Sequence, residues 1–236
     1  MHEYKLIRSK RKTVAIHITK HGTVEVRAPK DVPKSYIDGI VCEKDKWIEK
    51  HRLVMERRIE GKDKFRLSYG DTVMFLGEEC SIIAKDGGHA GFDGECFYVP
   101  PGLSDNEIKA AIVRIYKMLA KQIMPQRVAL FAQRMNVNPS SVKVNSAKTR
   151  WGSCSGKNAI NFSWYLIMAP GNIVDYIVVH ELAHITQHNH SERFWGIVES
   201  VIPDYKERQH ELKLLQERLA CEDWEADKLK AHDERV

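Results

Sequence analysis

The sequence predicts an α+β protein, in which a small, mostly-β module with one inserted helix precedes a core made of a small sheet, an apolar helix and a C-terminal helix. Over residues 1–100, short runs that alternate apolar and polar side chains are separated by glycine-containing turns, which is typical of strands. Over residues 101–236, apolar side chains recur at helical spacing in longer stretches. We therefore expect two domains, 1–100 and 101–236.

The first module begins with a hairpin. Residues 13–28 alternate apolar and polar side chains on both sides of the turn pair His21-Gly22. Residues 35–60 contain apolar side chains at helical spacing, which predicts a single inserted helix. Three further short strands are expected, at 72–76, 80–84 and 96–100.

The second part begins with a long helix from Ser104 to about Met135. Ser104 and Glu107 have the spacing of a capping box, and Pro125 is expected to bend the helix. The remaining elements expected are two strands and three helices, at 142–145, 159–164, 172–187, from about 190, and from 204 to the C-terminus.

The cysteines and the apolar runs exclude several classes of protein. The five cysteines are odd in number and none lies in a CxxC pair, which argues against a disulfide framework and against a thiolate zinc site. No run approaches the roughly 18 apolar residues that a membrane span needs, and the first residues lack the apolar core of a signal peptide. We therefore expect a cytoplasmic protein that makes no membrane contact.

The net charge of +5 is unevenly distributed. Residues 1–65 hold 17 Lys and Arg against 10 Asp and Glu, whereas the remaining residues hold 20 against 22. Such a basic module could attract nucleic acid, nucleotides or acidic proteins, or it could be a solvated face without a dedicated partner. Its densest cluster consists of Arg8, Lys10, Arg11 and Lys12.

The most informative motif is HExxH, formed by His180, Glu181 and His184. Histidines at positions i and i+4 lie on one face of a helix, so both imidazoles can reach a single metal ion. The glutamate beside them is near enough to take a proton from water activated by that metal. The alternative, two structural histidines and a surface glutamate, suits a buried helix poorly. The apolar residues that predict burial here are Ile173, Val174, Ile177 and Val178.

A catalytic zinc ion needs a third protein ligand. In a straight helix, His188 lies about 12 Å from His180 along the axis, so three side chains on that face cannot converge on one ion. Asn189 tolerates a left-handed helix cap, so we expect the chain to turn there and favour His190 over Glu199 as the ligand. The full set of candidates is His188, His190, Glu192 and Glu199.

Several segments around this motif resemble the YgjP-like family of metal-dependent hydrolases, also called DUF45, which is related to the SprT-like and WLM zincin metallopeptidases. The resemblance is strongest over residues 148–195 and extends weakly to the N-terminal hairpin. The segments that carry it are His180–His184, Asn189–Ser191, Phe194–Trp195, Lys148–Ser155 and Ile160–Ile167, followed by Pro170.

The resemblance implies a zincin-like metallopeptidase core, with a small sheet, an active-site helix and a third histidine after a turn. It implies His180, His184 and His190 as the zinc ligands and Glu181 as the catalytic base. Metzincins share this histidine spacing but have glycine where this chain has Gln187, so the sequence is not identified as a metzincin.

The segment upstream of the motif offers further hypotheses. Residues 149–155 are expected to form an edge strand or a loop beside the metal helix, where an extended peptide could add as a strand. Arg150 could stabilise an oxyanion that develops on the substrate, or it could be a structural arginine. We expect Cys154 to be buried and inert, and Phe194 and Trp195 to anchor the turn of the third histidine.

These observations favour a zinc-dependent hydrolase that resembles metallopeptidases, uses Zn²⁺-activated water with a glutamate general base, and acts on a peptide or protein. The oligomeric state stays open. One alternative is a metal-dependent nucleoside triphosphate pyrophosphatase that holds phosphates on its basic N-terminal module. Another is an adaptor for nucleic acid or protein in which the metal is structural.

Overall fold

The structure, a computed structural model, describes residues 2–225. The last eleven residues, to which the sequence extended the second domain and the C-terminal helix, lie outside the described residues. The chain groups into two compact units. Unit 1 comprises the chain up to Phe65 together with Arg218–Asp223, and unit 2 comprises Arg66–Glu217 together with the chain from Trp224.

Unit 1 contains one three-stranded sheet. Strand β1 is Lys5–Ser9, β2 is Ala15–Ile18 and β3 is Val24–Pro29. The predicted hairpin is confirmed, since β2 pairs antiparallel with β3, while β1 pairs parallel with β3 on its other side. The sequence did not predict β1. Alternate residues of β3 point into one core with the helices; the buried residues of this core are Val24, Val26, Ala28, Ile37, Val41 and Ile48.

The inserted helix of unit 1 is two helices rather than one, so this expectation was wrong. Helix α1 is Lys34–Glu43 and helix α2 is Asp45–Lys64. Lys44 breaks them apart because its backbone, at φ −95° and ψ 10°, lies outside the helical region. Helical periodicity continues across such a break because only one residue leaves the helical conformation.

Arg8, part of the basic cluster, has a structural role in unit 1. Its Nη1 donates hydrogen bonds of 2.8–2.9 Å to the carbonyl oxygens of Pro29, the last residue of β3, and of Lys30 and Val32 after it. Arg8 therefore holds the turn between β3 and α1.

Unit 2 begins with a four-stranded sheet in the order β4-β5-β7-β6. The sequence led us to expect a domain boundary after these strands, at residue 100, yet they belong to the same compact unit as the helix that follows. Tyr116 donates a 2.6 Å hydrogen bond to the Met74 carbonyl, and its ring contacts Phe97 edge-on. The strands are Thr72–Phe75, Glu78–Ala84, Gly91–Phe92 and Phe97–Val99.

Helix α3, Asp105–Met135, continues through Pro125 and begins with the predicted capping box, in which Glu107 accepts a 2.8 Å hydrogen bond from the Ser104 amide. The second sheet of unit 2 has the order β8-β10-β9, so β9 is an edge strand. Strand β10 pairs parallel with β8 and antiparallel with β9. These strands are Ser141–Asn145, Gly152–Cys154 and Ala159–Ser163 for β8, β9 and β10.

A 3₁₀ helix at Trp164–Met168, which the sequence did not predict, leads into three α-helices. Helix α4 is buried along most of its length, and contacts hold both the 3₁₀ helix before it and its own second turn. The Leu76 amide donates a 2.8 Å hydrogen bond to the Ile167 carbonyl, and Arg127 pairs with Asp175 at 3.0 Å. The helices are Gly171–Thr186, Glu192–Val201 and Tyr205–Leu219 for α4, α5 and α6.

The α+β class predicted from the sequence is confirmed. Within residues 2–225, none of the helices combines the length and apolar character that crossing a bilayer requires.

Candidate active site

Three histidines meet at the C-terminal end of α4. His180 and His184 lie one turn apart on the helix, and His190 lies in the segment between α4 and α5. Each offers one imidazole nitrogen, and these three nitrogens all lie within 4.8 Å of one another. Of the described residues that could ligate a metal, these three are the group that converges.

The turn that brings His190 back differs from the one expected. The helix ends at Thr186, and Gln187 adopts an extended backbone at φ −137° and ψ 104°. The chain therefore leaves the helix at Gln187 and not through a left-handed cap at Asn189. A 2.6 Å hydrogen bond from the Gln187 side-chain amide to Asn189 Oδ1 then closes the turn. His190 is thereby placed 3.1 Å from His180, measured between the two Nε2 atoms.

The other candidate ligands do not join this group. His188 is exposed. It acts on the pKa of His184 in two opposite ways, since its charge lowers that pKa and a backbone hydrogen bond raises it. Among the described residues, neither Glu192 nor Glu199 converges with the three imidazoles. Both glutamates belong to α5, which begins only after His190.

Phe194 packs against all three histidines and gives them an apolar contact surface. It is 0% exposed, and its ring centroid lies 4.6–5.0 Å from those of His180, His184 and His190. Trp195 stacks on His190 on one side and on Tyr205 of α6 on the other. The prediction that these two aromatic residues anchor the turn is confirmed, because rings in contact on several sides fix the imidazole positions.

Burial keeps the helix histidines neutral. It lowers the pKa of His180 to about 3 and also lowers the pKa of His184, and the neighbouring histidines act in the same direction. The Nδ1 of His184 lies 3.3 Å from the Gln187 carbonyl, which can only accept, so Nδ1 carries the proton and Nε2 keeps a free lone pair. Neutral imidazoles with a free nitrogen are the form that binds a metal.

The donor set suits one metal ion. Two nitrogens of a tetrahedral zinc ion, each about 2.0–2.1 Å from the metal, are about 3.3–3.4 Å apart. The Nε2 atoms of His180 and His190 are 3.1 Å apart, close to that separation. The buried Nδ1 of His180 has no hydrogen-bond partner, so this ring owes its orientation to its neighbours in the core and in the cluster.

Glu181 follows His180 in α4, and its side chain packs against strand β9 of the second sheet. It is 5% exposed, and this burial raises its pKa to about 7, while the positive charge of Arg150 acts to lower it. Strand β9 lies directly on the carboxylate: a Cβ built on Gly152 would come within 2.5 Å of Glu181 Oε1. Arg150 itself is exposed, in the segment that precedes β9.

Two further side chains near the motif have structural positions. Trp164 is buried in an aromatic cluster with Tyr116, Tyr165 and Trp224, so it belongs to the core. Cys154 in β9 is half-buried, and its pKa is raised by burial and then by the charge of Glu181, so the thiol stays protonated near neutral pH.

Sequence reasoning missed the importance of Gly152. The only signal in the sequence was a glycine inside a short polar segment, which is typical of a turn. Its contact with Glu181 joins residues 29 positions apart and is visible only in the fold.

An α+β core in which a HExxH helix and the turn behind it bring three imidazoles together is the arrangement of a metal-dependent peptidase. The chain belongs to the YgjP-like family: the model described as "YgjP-like, metallopeptidase domain" matches residues 12–214. The resemblance seen in the sequence is thus confirmed, and the chain is a metal-dependent hydrolase of the metallopeptidase class.

Two solved structures are similar over a smaller part of the chain. The metallopeptidase zymogen abylysin from Pyrococcus abyssi is 22% identical, with a TM-score of 0.37, over 39% of this chain and 93% of its own. The metallopeptidase zymogen jannalysin from Methanocaldococcus jannaschii is 23% identical, with a TM-score of 0.35, over 40% of this chain and 96% of its own. Comparison with curated proteins gave no significant match.

Proposed function

We propose that this protein is a zinc-dependent peptidase in which His180, His184 and His190 hold the metal and Glu181 is the general base. The observation that carries the proposal is the convergence of three imidazole nitrogens within 4.8 Å beside a buried glutamate. Neutral imidazoles favour zinc over magnesium, which prefers carboxylate and water ligands. When bound, zinc would act as a Lewis acid that polarises water and the substrate carbonyl.

Glu181 accepts a proton from the attacking water and later returns it to the leaving amine. A general base accepts a proton more readily when its pKa is raised toward the working pH, and burial raises the pKa of Glu181 to about 7 in the metal-free protein. The side chain is one residue from His180 on the same helix, which supports its action on water held at the histidine cluster. Its burial also keeps bulk water from competing for the proton.

Arg150 is proposed to stabilise negative charge that develops on the substrate. It is exposed and lies close enough to Glu181 for its charge to affect the carboxylate pKa. A guanidinium can donate hydrogen bonds to an oxyanion. The alternative role, fixing the segment before β9, predicts that Arg150→Ala lowers stability and not only turnover.

The substrate is proposed to be a peptide in extended conformation. Strand β9 is at the edge of its sheet and lies against α4, so a peptide added to this edge would pass beside the three histidines. Main-chain hydrogen bonds to β9 would hold the peptide whatever its side chains are. This mode favours a stretch of unfolded or flexible protein over a folded surface.

The experiment that tests this function compares substrates. The purified protein is analysed for bound metal, and a peptide library and nucleoside triphosphates are incubated with the zinc-loaded and chelator-treated forms. We expect peptide-bond hydrolysis that is lost on chelation and regained with zinc. Nucleotide hydrolysis that requires Mg²⁺ and survives the loss of zinc would contradict the proposal.

A further inference from the structure

Gly152 is the residue of β9 that contacts the carboxylate of Glu181. A Cβ atom at this position would lie 2.5 Å from Oε1, 2.6 Å from Cγ and 2.8 Å from Cδ of Glu181. Separations below 3.0 Å essentially never occur for real Cβ atoms. The hydrogen of glycine is therefore the only side chain that fits against this carboxylate.

The backbone of Gly152 does not itself require glycine. The residue belongs to an extended strand, and it pairs antiparallel with Phe162 of β10. Extended backbone is accessible to every residue type except proline. The glycine at this position must therefore be explained by the space beside Glu181 and not by the strand conformation.

Neither side of the contact can move away easily. The Ser163 amide donates a 2.8 Å hydrogen bond to the Trp151 carbonyl, which fixes the strand one residue before Gly152. Glu181 is 5% exposed and lies on a helix that is buried on most sides. Close-packed interiors transmit a forced displacement to their neighbours instead of absorbing it.

We propose that Gly152 is a positioning residue for the general base: it lets β9 close over Glu181 and confines the carboxylate to one orientation beside the histidine cluster. This inference rests on the proposed function, in which Glu181 accepts the proton of the attacking water. The closed strand also removes bulk water from one side of the carboxylate. A methyl group at position 152 would turn the carboxylate away from the attacking water while leaving the histidines in place.

The test is Gly152→Ala with Gly156→Ala as its matched control. Gly156 lies in the turn that follows β9, and a Cβ there meets nothing within 4 Å. We expect Gly152→Ala to lower kcat on a cleaved peptide by about a hundredfold, the cost of misplacing a reacting group by roughly 1 Å. KM and zinc content should stay near the wild-type values. Gly156→Ala should match the wild type in kcat, KM and zinc content.

Truncating the base distinguishes a clash with Glu181 from a general effect of the methyl group. Glu181→Ala removes the Cγ, Cδ and Oε1 atoms that a Cβ at position 152 would meet, so an alanine at 152 has room. We expect Gly152→Ala to lower the free energy of unfolding in the wild type and to change it little in the Glu181→Ala background. If Gly152→Ala alone fails to fold, the double variant should regain the fold because the clash is gone.

Three results would overturn the inference. They are wild-type kcat in Gly152→Ala, an equal loss of stability from Gly152→Ala in the wild-type and Glu181→Ala backgrounds, or a double variant that stays unfolded where the single variant is unfolded. Failure of the proposed function looks different, because Glu181→Gln would then keep full turnover. An inactive Glu181→Gln together with a fully active Gly152→Ala would refute the role of Gly152 alone.

Discussion

At the scale of single residues, the metal site depends on His190. His180 and His184 come together in any helix that contains HExxH, whereas His190 reaches them only because α4 ends at Thr186. Its imidazole stacks on Trp195 and contacts Phe194. Of the three proposed ligands, His190 is the one that lies outside the helix. Its ring is nevertheless held in place by two aromatic side chains.

Replacing His190 by alanine should abolish stable zinc binding. Losing a residue that merely hydrogen-bonds to a ligand costs about 10–100-fold in affinity, and losing a ligand should cost more. His188→Ala is the matched control, since this exposed histidine lies outside the cluster. Metal analysis after dialysis measures the zinc content of both variants. Equal zinc content in His190→Ala and the wild type would contradict the ligand assignment.

The Glu181 carboxyl should titrate unusually in the metal-free protein. Burial raises its pKa to about 7, so the group is half protonated at neutral pH, whereas an ordinary glutamate is fully ionised there. A bound divalent cation favours the ionised form and should lower this pKa. Carbon-detected NMR with labelled glutamate follows the titration. A metal-free pKa near 4 would show that the carboxylate is solvated.

These residues also show what sequence can predict. Helix geometry argues against His188 as a ligand because rise per residue is a property of every helix, and a turn near Asn189 favours His190 while Glu192 and Glu199 stay open. The bend at Gln187 and the Gly152 contact were not predictable. A loop backbone angle and a contact between residues far apart in the chain depend on how the whole unit folds.

At the scale of secondary structure, α5 supports the site by packing against the histidine cluster. Its first turns bring Phe194 under all three imidazoles, and Trp195 connects His190 to Tyr205 of α6. The histidine cluster is therefore built from α4, the turn after it and α5. Loosening α5 should affect both stability and metal binding.

Phe194→Ala should lower the free energy of unfolding by about 3–5 kcal/mol, which is usual when a buried phenylalanine is truncated. Zinc affinity should fall with it, because the imidazoles lose the surface that orients them. Leu214→Ala on α6 is the control, since this side chain is 53% exposed. Denaturant unfolding measures both variants. Similar midpoints for the two would refute the role of Phe194.

Local pattern predicted most elements and missed those that tertiary contacts impose. The hairpin of β2 and β3 and the capped start of α3 follow from alternation and capping, which act between near neighbours. The break at Lys44 and the 3₁₀ helix at Trp164–Met168 do not. In the 3₁₀ helix, five consecutive side chains are buried, and such a run fits a helical and a strand pattern equally well.

At the scale of the whole molecule, metal binding should be coupled to folding. The proposed ligands come from two segments of unit 2 that are adjacent only in the folded chain. A ligand that binds only the native state stabilises it by about 2.7 kcal/mol at a free concentration of 100 times Kd.

Calorimetry with and without zinc tests this coupling. We expect the Tm of the wild type to rise with added zinc and that of His180→Ala to stay unchanged. An identical rise in both proteins would show that zinc stabilises the fold from another site.

The fold class was predictable at this scale, whereas the grouping of the strands was not. The alternation of apolar and polar residues and the helical spacing of apolar residues are sufficient to predict the α+β class. The strands at 72–99 group with α3 because Tyr116 reaches back to Met74 and Phe97, a long-range contact that no local composition shift marks. The basic N-terminal charge belongs to unit 1, where Arg8 caps the turn after β3; binding of nucleic acid there stays a prediction.

The most direct test of the central proposal is the kcat of zinc-loaded Glu181→Gln on a peptide that the wild type cleaves. The substitution keeps the shape of the side chain and removes its ability to take a proton. We predict one zinc per chain, as in the wild type, and a kcat lower by about 10²–10⁴-fold, the usual contribution of a general base. Wild-type kcat in a fully zinc-loaded Glu181→Gln variant would contradict the mechanism.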